Sequence, residues 1–310
     1  MKTLFLAAGL ALAAATPLRA QAPSDTALLR RTLEQTLSGY KGTVGISVRN
    51  LATGEHVSLL GDQTFPTASL IKISVLVTLM DEVNKGHVGL DERVGLINRD
   101  KVGGTGVLQY LSSGTMPTME DLAWLMITLS DNTATNLLLN KLDIRTVGVK
   151  MEALGLPHSK ILAKVFHRET SIAPDSSKLY GLGVTTPDEM TQLLSLMYHG
   201  KAVSPALDSL ALRMLTANQD GSMMVRWLPE NVRVAHKTGS VDRSRTDCGI
   251  IYSPAAPLDL CVLTKNNQDT TYVVDNAAHR IIGRVAREVF HQFNPSVPLP
   301  PLPTATPDNR

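Results

Sequence analysis

A hydroxyl and an amine stand three positions apart in Thr67-Ala68-Ser69-Leu70-Ile71-Lys72, at the head of a long apolar run. From Ile71 onward the run is dominated by Ile73, Val75, Leu76, Val77, Leu79 and Met80, which reads as a helix destined for burial. Helical residues three apart share a face, so Ser69 and Lys72 point the same way. A buried lysine is costly unless its amine is used. One use is nucleophilic catalysis. An amine kept neutral by burial and a nearby cation takes the serine proton and activates the oxygen.

The spacing alone proves little. Ser38 and Lys41 repeat it in a Ser-Gly-Tyr-Lys turn with no apolar helix behind them. Two further tripeptides raise the Ser69 copy above chance. Ser130-Asp131-Asn132 separates the helix-like MEDLAWLMITL from TATNLLLNKL, a place where Ser130 or Asp131 would also serve as a plain helix cap. Lys237-Thr238-Gly239 sits on a strand-like run, where it could equally be an ordinary strand end. Each is unremarkable alone, and their joint order is what carries weight.

The elements that must position these groups are legible in outline. SDTALLRRTLEQTL reads as a helix capped by Ser24 or Asp25. GTVGISVRNLATGEHVSLL reads as a hairpin turning at Ala52-Thr53-Gly54. A helical region runs from about 68 to 215, broken by loops at 103–106 and 112–117. NVRVAHKTGS, RTDCGIIYS and LDLCVLTKN read as successive antiparallel strands, and 271–293 as a closing amphipathic helix. Strands at both ends with helices between predict an α+β sandwich. Its antiparallel sheet, from residues 21–66 and 216–293, is flanked by the terminal helices, with 67–215 inserted as an all-helical domain. Residues 294–310 are proline-rich and expected to be disordered.

Composition narrows the function. With 43% hydrophobic residues, 19% charged residues and a net charge of +2, the chain gives no argument for nucleic acid or a charged membrane surface. Aromatic residues are only 4%, so base or sugar stacking is not suggested. MKTLFLAAGLALAAATPLRA has the shape of a secretory signal peptide cleaved after Ala20, which predicts a periplasmic or secreted protein. No cysteine near that site suggests a lipid anchor, and no membrane anchor is expected. The histidines show no metal-ligand spacing, so neither a metal nor another cofactor is expected. The two cysteines, Cys248 and Cys261, fall on either side of a turn at 253–257. Directly opposed strand positions often fit disulfide geometry poorly, so two buried thiols are expected. Nothing demands more than a monomer.

With Ser-x-x-Lys, Ser-Asp-Asn and Lys-Thr-Gly in this order, the chain resembles the penicillin-recognising serine hydrolases, and within them the class A β-lactamases. The likeness covers nearly the whole chain after residue 20, including VGVKMEALGL and TTPDEMTQLL. It implies the serine β-lactamase/D,D-peptidase fold and a small-molecule β-lactam substrate. Ser69 is then the nucleophile and Lys72 its base. Ser130 passes the proton to the leaving nitrogen, and Asn132 binds the substrate's side-chain amide. Lys237 and Thr238 hold its carboxylate, Ser240 N–H completes the oxyanion site, and Gly239 lets substrate approach the strand edge.

The same likeness assigns hydrolysis of the acyl-enzyme to Glu169, on an Ω-loop. There the chain departs from the pattern. The family's Glu-Pro-x-Leu-Asn is here Glu169-Thr170-Ser171-Ile172-Ala173, with Thr170 or Ser171 left to replace the Asn. The Arg–Asp pair that clamps the family's loop corresponds to His167 and Gly183, with Arg168 shifted by one. A D,D-peptidase or esterase-like enzyme with poor β-lactam turnover is therefore the alternative, and a non-turnover sensor ranks below both. Arg243 and Arg245 are candidates for substrate carboxylate binding, whereas His236 should face the opposite side of its strand.

Overall fold

The computed structural model describes residues 26–302, so the signal peptide read in residues 1–20 and the end of the tail, 303–310, lie outside it. The chain opens with α1 (Thr26–Thr36), whose Leu29 and Leu33 are one turn apart and buried. The hairpin of β1 (Thr43–Asn50) and β2 (His56–Leu59) follows, its turn set by Asn50 Oδ1, which accepts from Ala52 N and Thr53 N. Next come β3 (Phe65–Pro66), a 3-10 turn over Ala68–Ile71 and α2 (Lys72–Asn84). The middle of the chain carries α3 (Met119–Thr128), α4 (Asn132–Leu142), α5 (Ile144–Ala153), β4 (Lys160–Ile161) and α6 (Pro174–Tyr180). β5 (Gly183–Thr185), α7 (Pro187–Tyr198) and α8 (Pro205–Thr216) complete it. Then come β6 (Val234–Val241), β7 (Ser244–Tyr252), β8 (Pro257–Lys265) and α9 (Ala277–Phe293).

The main sheet has the order β2-β1-β8-β7-β6 and every pairing is antiparallel, which leaves β6 at a free edge. Alternation along each strand gives the sheet two apolar faces. Leu258, Leu260 and Val262 pack with Leu29, Leu33 and α9 residues such as Ile282 and Phe290. Cys261 and Leu263 face the other way, into the larger core built by α2, α3, α4, α5, α7 and α8. One continuous core therefore joins the sheet to the helices. A small second sheet, β3-β5-β4, was not expected from the sequence, because strands of two or three residues carry no readable periodicity. It matters for the site, since Thr67 N donates to Gly183 O at 3.0 Å and anchors the turn that bears Ser69. Among the described residues no helix is long and apolar enough to cross a membrane.

Three expectations need correction. The last helix begins at Ala277 and not at 271, because Asn276 caps it by accepting from Ala278 N at 2.8 Å. The segment before the cap is held by Asp269, which accepts from Thr271 N and Ala277 N. The proline-rich tail is packed over its first part. Val297 and Leu299 lie against the α1–α9 core, and Arg287 donates to Pro300 O. Finally, Cys248 and Cys261 form a disulfide. They are directly opposed in β7 and β8 with Cα atoms 4.0 Å apart, the close approach of a non-hydrogen-bonded antiparallel pair.

The cross-link joins cysteines 13 residues apart. A Cys248→Ala/Cys261→Ala double variant is expected to lose about 3 kcal/mol of stability, read from the denaturant midpoint. A midpoint unchanged from the parent would show that packing alone holds these strands.

Candidate active site

Ser69 lies in the 3-10 turn that runs into α2, on the wall of a cavity of about 470 Å³. The residue before it, Ala68, has φ +46°, a conformation L-residues rarely adopt, and it is buried. Strain of this kind persists only where the surroundings impose it. Here they do, through Thr67. Its N–H is tied to Gly183 O, and its carbonyl accepts from Thr246 Oγ1 at 2.9 Å. The Ser69 hydroxyl has no hydrogen-bond partner among the described residues and faces the cavity.

Lys72 opens α2 and is fully buried. Its Nζ donates to Ser130 O at 2.7 Å, Asn132 Oδ1 at 3.0 Å and Ser130 Oγ at 3.2 Å. Burial, and then the nearby Lys237 charge, push its pKa well below that of an ordinary lysine. Lys237, on β6, is also fully buried and its Nζ donates to Thr238 O at 2.8 Å. Burial brings its pKa down to about 8, against the opposing pull of Asp220 and Asp247.

The Ser130-Asp131-Asn132 loop is organised by its middle residue. Asp131 caps α4, accepting from Ala134 N at 2.9 Å, and its second oxygen accepts from Val107 N and Leu108 N. That buried carboxylate fastens the 103–108 loop over the cavity. Ser130 is left with φ +53° and its carbonyl turned to Lys72 Nζ and Thr105 Oγ1. Asn132 is also engaged, donating through Nδ2 to Gly103 O at 3.0 Å.

On the edge strand, Ser240 opposes Arg245, whose backbone N–H and C=O both bond Thr264 Oγ1. Ser240 is thus in a non-hydrogen-bonded pair, and its N–H points off the free edge toward the cavity. Gly239 has a packing reason beside the one expected. A Cβ there would stand 2.9 Å from Leu70 N and closer still to Thr67 O, so the missing side chain lets β6 pack against the Ser69 turn itself. Arg243 and Arg245 do not reach the cavity. Arg243 Nε donates to Asn267 O, and Arg245 is buried under Tyr272 with its guanidinium on the carbonyls of Val241, Asp242, Ser244 and Thr271. His236 faces away from Lys237 and bonds Asp247 at 2.9 Å, as its strand position implied.

Glu169 is not brought to this group. Its side chain is 71% exposed, bonds His167 Nδ1 at 2.8 Å, and is held below the usual carboxylate range by its own backbone N–H and then by His167. It is absent from the cavity wall, where the same loop supplies Val165, Phe166 and Arg168. The reason is the loop's path. Asn136 on α4 grips Val165 at both ends, accepting from its N–H at 2.8 Å and donating to its C=O at 3.0 Å. Phe166 then turns left-handed at φ +59° and carries the chain outward. Thr170 and Ser171 both bond within the loop and its neighbour helix. Thr170 Oγ1 joins Lys164 N to His167 O, and Ser171 bonds Ser177. These contacts close the loop on itself and on α6.

Sequence reasoning missed Val165, Asn136 and Asp220, the last of which lines the cavity beside Thr238. Asn136 had a signal, since it lies one turn beyond Asn132 on the same face of α4. Asp220 had none, because it sits in an irregular loop.

A family model described as the beta-lactamase enzyme family matches residues 28–293. Beta-lactamase CARB-4 of Pseudomonas aeruginosa is 26% identical over 84% of this chain and 88% of its own. The crystal structure of a beta-lactamase from Sphaerobacter thermophilus is 30% identical with a TM-score of 0.78, covering 88% of this chain and 100% of that one. The structure of PBP-A is 25% identical with a TM-score of 0.76, covering 86% and 96%.

Because a Cβ on Gly239 would meet the backbone of Thr67 and Leu70 as well as Thr246 Oγ1, Gly239→Ala is expected to cost about 1–3 kcal/mol by overpacking. Its thermal midpoint should fall below the parent's. An unshifted midpoint would mean that the turn and the strand yield without cost.

Proposed function

The chain belongs to the beta-lactamase enzyme family, and from that premise we propose that it is a serine hydrolase of β-lactams that forms an acyl-enzyme on Ser69. The observation that carries this is the Lys72 amine, buried, depressed in pKa and 3.2 Å from Ser130 Oγ. Neutral Lys72 takes the Ser69 proton as Oγ attacks the lactam carbonyl. The Ser69 and Ser240 N–H groups face the oxyanion that forms. As the C–N bond breaks, Ser130 gives its proton to the departing nitrogen and is reprotonated by Lys72. Asn132 offers its remaining N–H to the substrate's side-chain amide, while Lys237 and Thr238 stand at the carboxylate end of the site. The leader read in residues 1–20 directs the chain to the periplasm or beyond.

Release of the acyl group is a separate matter. A positioned general base contributes about 10²–10⁴-fold to such a step. Glu169 was expected to supply it, yet its carboxylate is exposed while Val165 and Phe166 line the cavity from the same loop. That observation favours a second reading, a D,D-peptidase or esterase-like penicillin-binding hydrolase in which β-lactams acylate and leave slowly.

Stopped-flow mixing with a chromogenic cephalosporin tests both. A burst of one equivalent followed by a slow phase is expected, with the burst lost in Ser69→Ala. The acylation rate should decline as pH rises through about 8, where Lys237 loses its charge. Fast sustained turnover that disappears in Glu169→Gln would instead make Glu169 the base and defeat the slow-release reading. Val165→Glu places a carboxylate on the backbone site that Asn136 fixes and should speed release at least about tenfold. Unchanged release in that variant, measured by mass spectrometry of the acylated protein, would count against an absent base as the cause.

A further inference from the structure

The second Ser-x-x-Lys copy, Ser38 to Lys41, takes no part in the chemistry above, yet it borders a cavity of its own. The turn between α1 and β1 that carries it faces the loop before α9 and the first two turns of that helix. Together they form a cavity of about 470 Å³ that shares no lining residue with the one at Ser69. Its walls are tied to one another. Gln268 N donates to Lys41 O at 3.1 Å, and Tyr40 Oη donates to Asn267 Oδ1 at 2.7 Å. Asn276 Nδ2 donates to Asp269 O at 3.2 Å and joins the loop to the helix cap.

Charge around this cavity is one-sided. Lys41, Arg280 and Arg284 all border it, and among the described residues their side chains make no ion pair or hydrogen bond. The one acid on the wall, Asp269, is spent on its own loop and on the start of α9. Its Oδ1 accepts from Thr271 N and Thr271 Oγ1, and its Oδ2 accepts from Ala277 N at 2.8 Å. Arg280 and Arg284 are four residues apart on α9, so their Cβ atoms stand about 5–6 Å apart on one face. A like-charge pair at that spacing weakens a helix unless an anion lies between the charges.

Guanidinium groups present paired N–H donors that match the oxygens of a phosphate, and lysine adds a point charge. A phosphate monoester brings about −1.5 to −2 charges at neutral pH, which answers three cations better than a single carboxylate does. The cavity is larger than a phosphate and has the size of a small-molecule site, so it leaves room for an organic body beside the phosphoryl group.

We propose that this cavity is a second binding site, separate from the catalytic one, which takes the phosphoryl group of a small soluble phosphate ester or diphosphate between Arg280, Arg284 and Lys41.

Isothermal titration calorimetry with inorganic pyrophosphate at low ionic strength tests the site. The parent should bind one equivalent there, and Arg280→Gln/Arg284→Gln should weaken that binding by about tenfold or more. Arg145→Gln/Lys201→Gln removes the same charge from exposed positions elsewhere and should leave the affinity within twofold. All four residues are exposed, so both double variants should keep the parent's thermal midpoint. No binding by the parent overturns the proposal. Equal losses in the two double variants do so too, since net charge alone would then account for them. Binding that survives Arg280→Gln/Arg284→Gln but is blocked by acylation of Ser69 would put the anion in the catalytic cavity, and the proposal would fall. Sedimentation with phosphatidylglycerol vesicles, without any binding of free pyrophosphate, would assign the phosphate to a lipid headgroup and overturn the soluble ligand.

Discussion

A lysine amine held out of water is the constraint around which the rest of this molecule is arranged. Lys72 is buried among the apolar residues of α2, and its amine survives there because Ser130 and Asn132 turn three acceptors toward it. Those acceptors are available only because Asp131 caps α4 and fastens the 103–108 loop with the same carboxylate. Lys237 must also come close enough to repel the Lys72 proton, which requires β6 to pack against the Ser69 turn with no side chain at Gly239. The motifs are thus one electrostatic unit assembled from a helix, a loop and an edge strand.

The unit is held under visible backbone strain. Ala68, Ser130 and Phe166 all line the cavity, and all three have positive φ without being glycine. Each is over-determined by its neighbours, Ala68 by the ties on Thr67, Ser130 by Lys72 and Thr105, and Phe166 by the Asn136 grip on Val165. Two desolvated lysines add to the cost. Function here is set against stability, and the large apolar core beneath α2 is what permits it.

What could be read beforehand follows from how locally each feature is encoded. The α+β architecture and the antiparallel strands were legible because alternation and helical periodicity are written over eight or more residues. Ser69, Lys72, Ser130, Asn132 and Lys237 were legible because their types and order carry chemistry. Glu169 marks where such legibility ends. Its type was right, but whether it faces the cavity depends on the path of an irregular loop, and that path is dictated by Asn136 from another element. Asp220 was invisible on the same grounds. The cysteines failed more narrowly, since their opposition was foreseen but not which kind of antiparallel pair they occupy, a matter of ladder phase that sequence does not encode.

The disulfide between β7 and β8 has a bearing on the site that its distance from Ser69 conceals. Cys248 is bonded to Cys261 on one side and lies opposite Lys237 on the other. In a sheet with period two, a slip of one residue sends every side chain of a strand to the other face. Such a slip in β6 would deliver His236 to the helical side and drive Lys237 toward Met224 and the α9 core. By fixing β7 against β8, the cross-link holds the strand that Lys237 pairs with in one register relative to the rest of the sheet, so β6 docks on a template that does not itself slide.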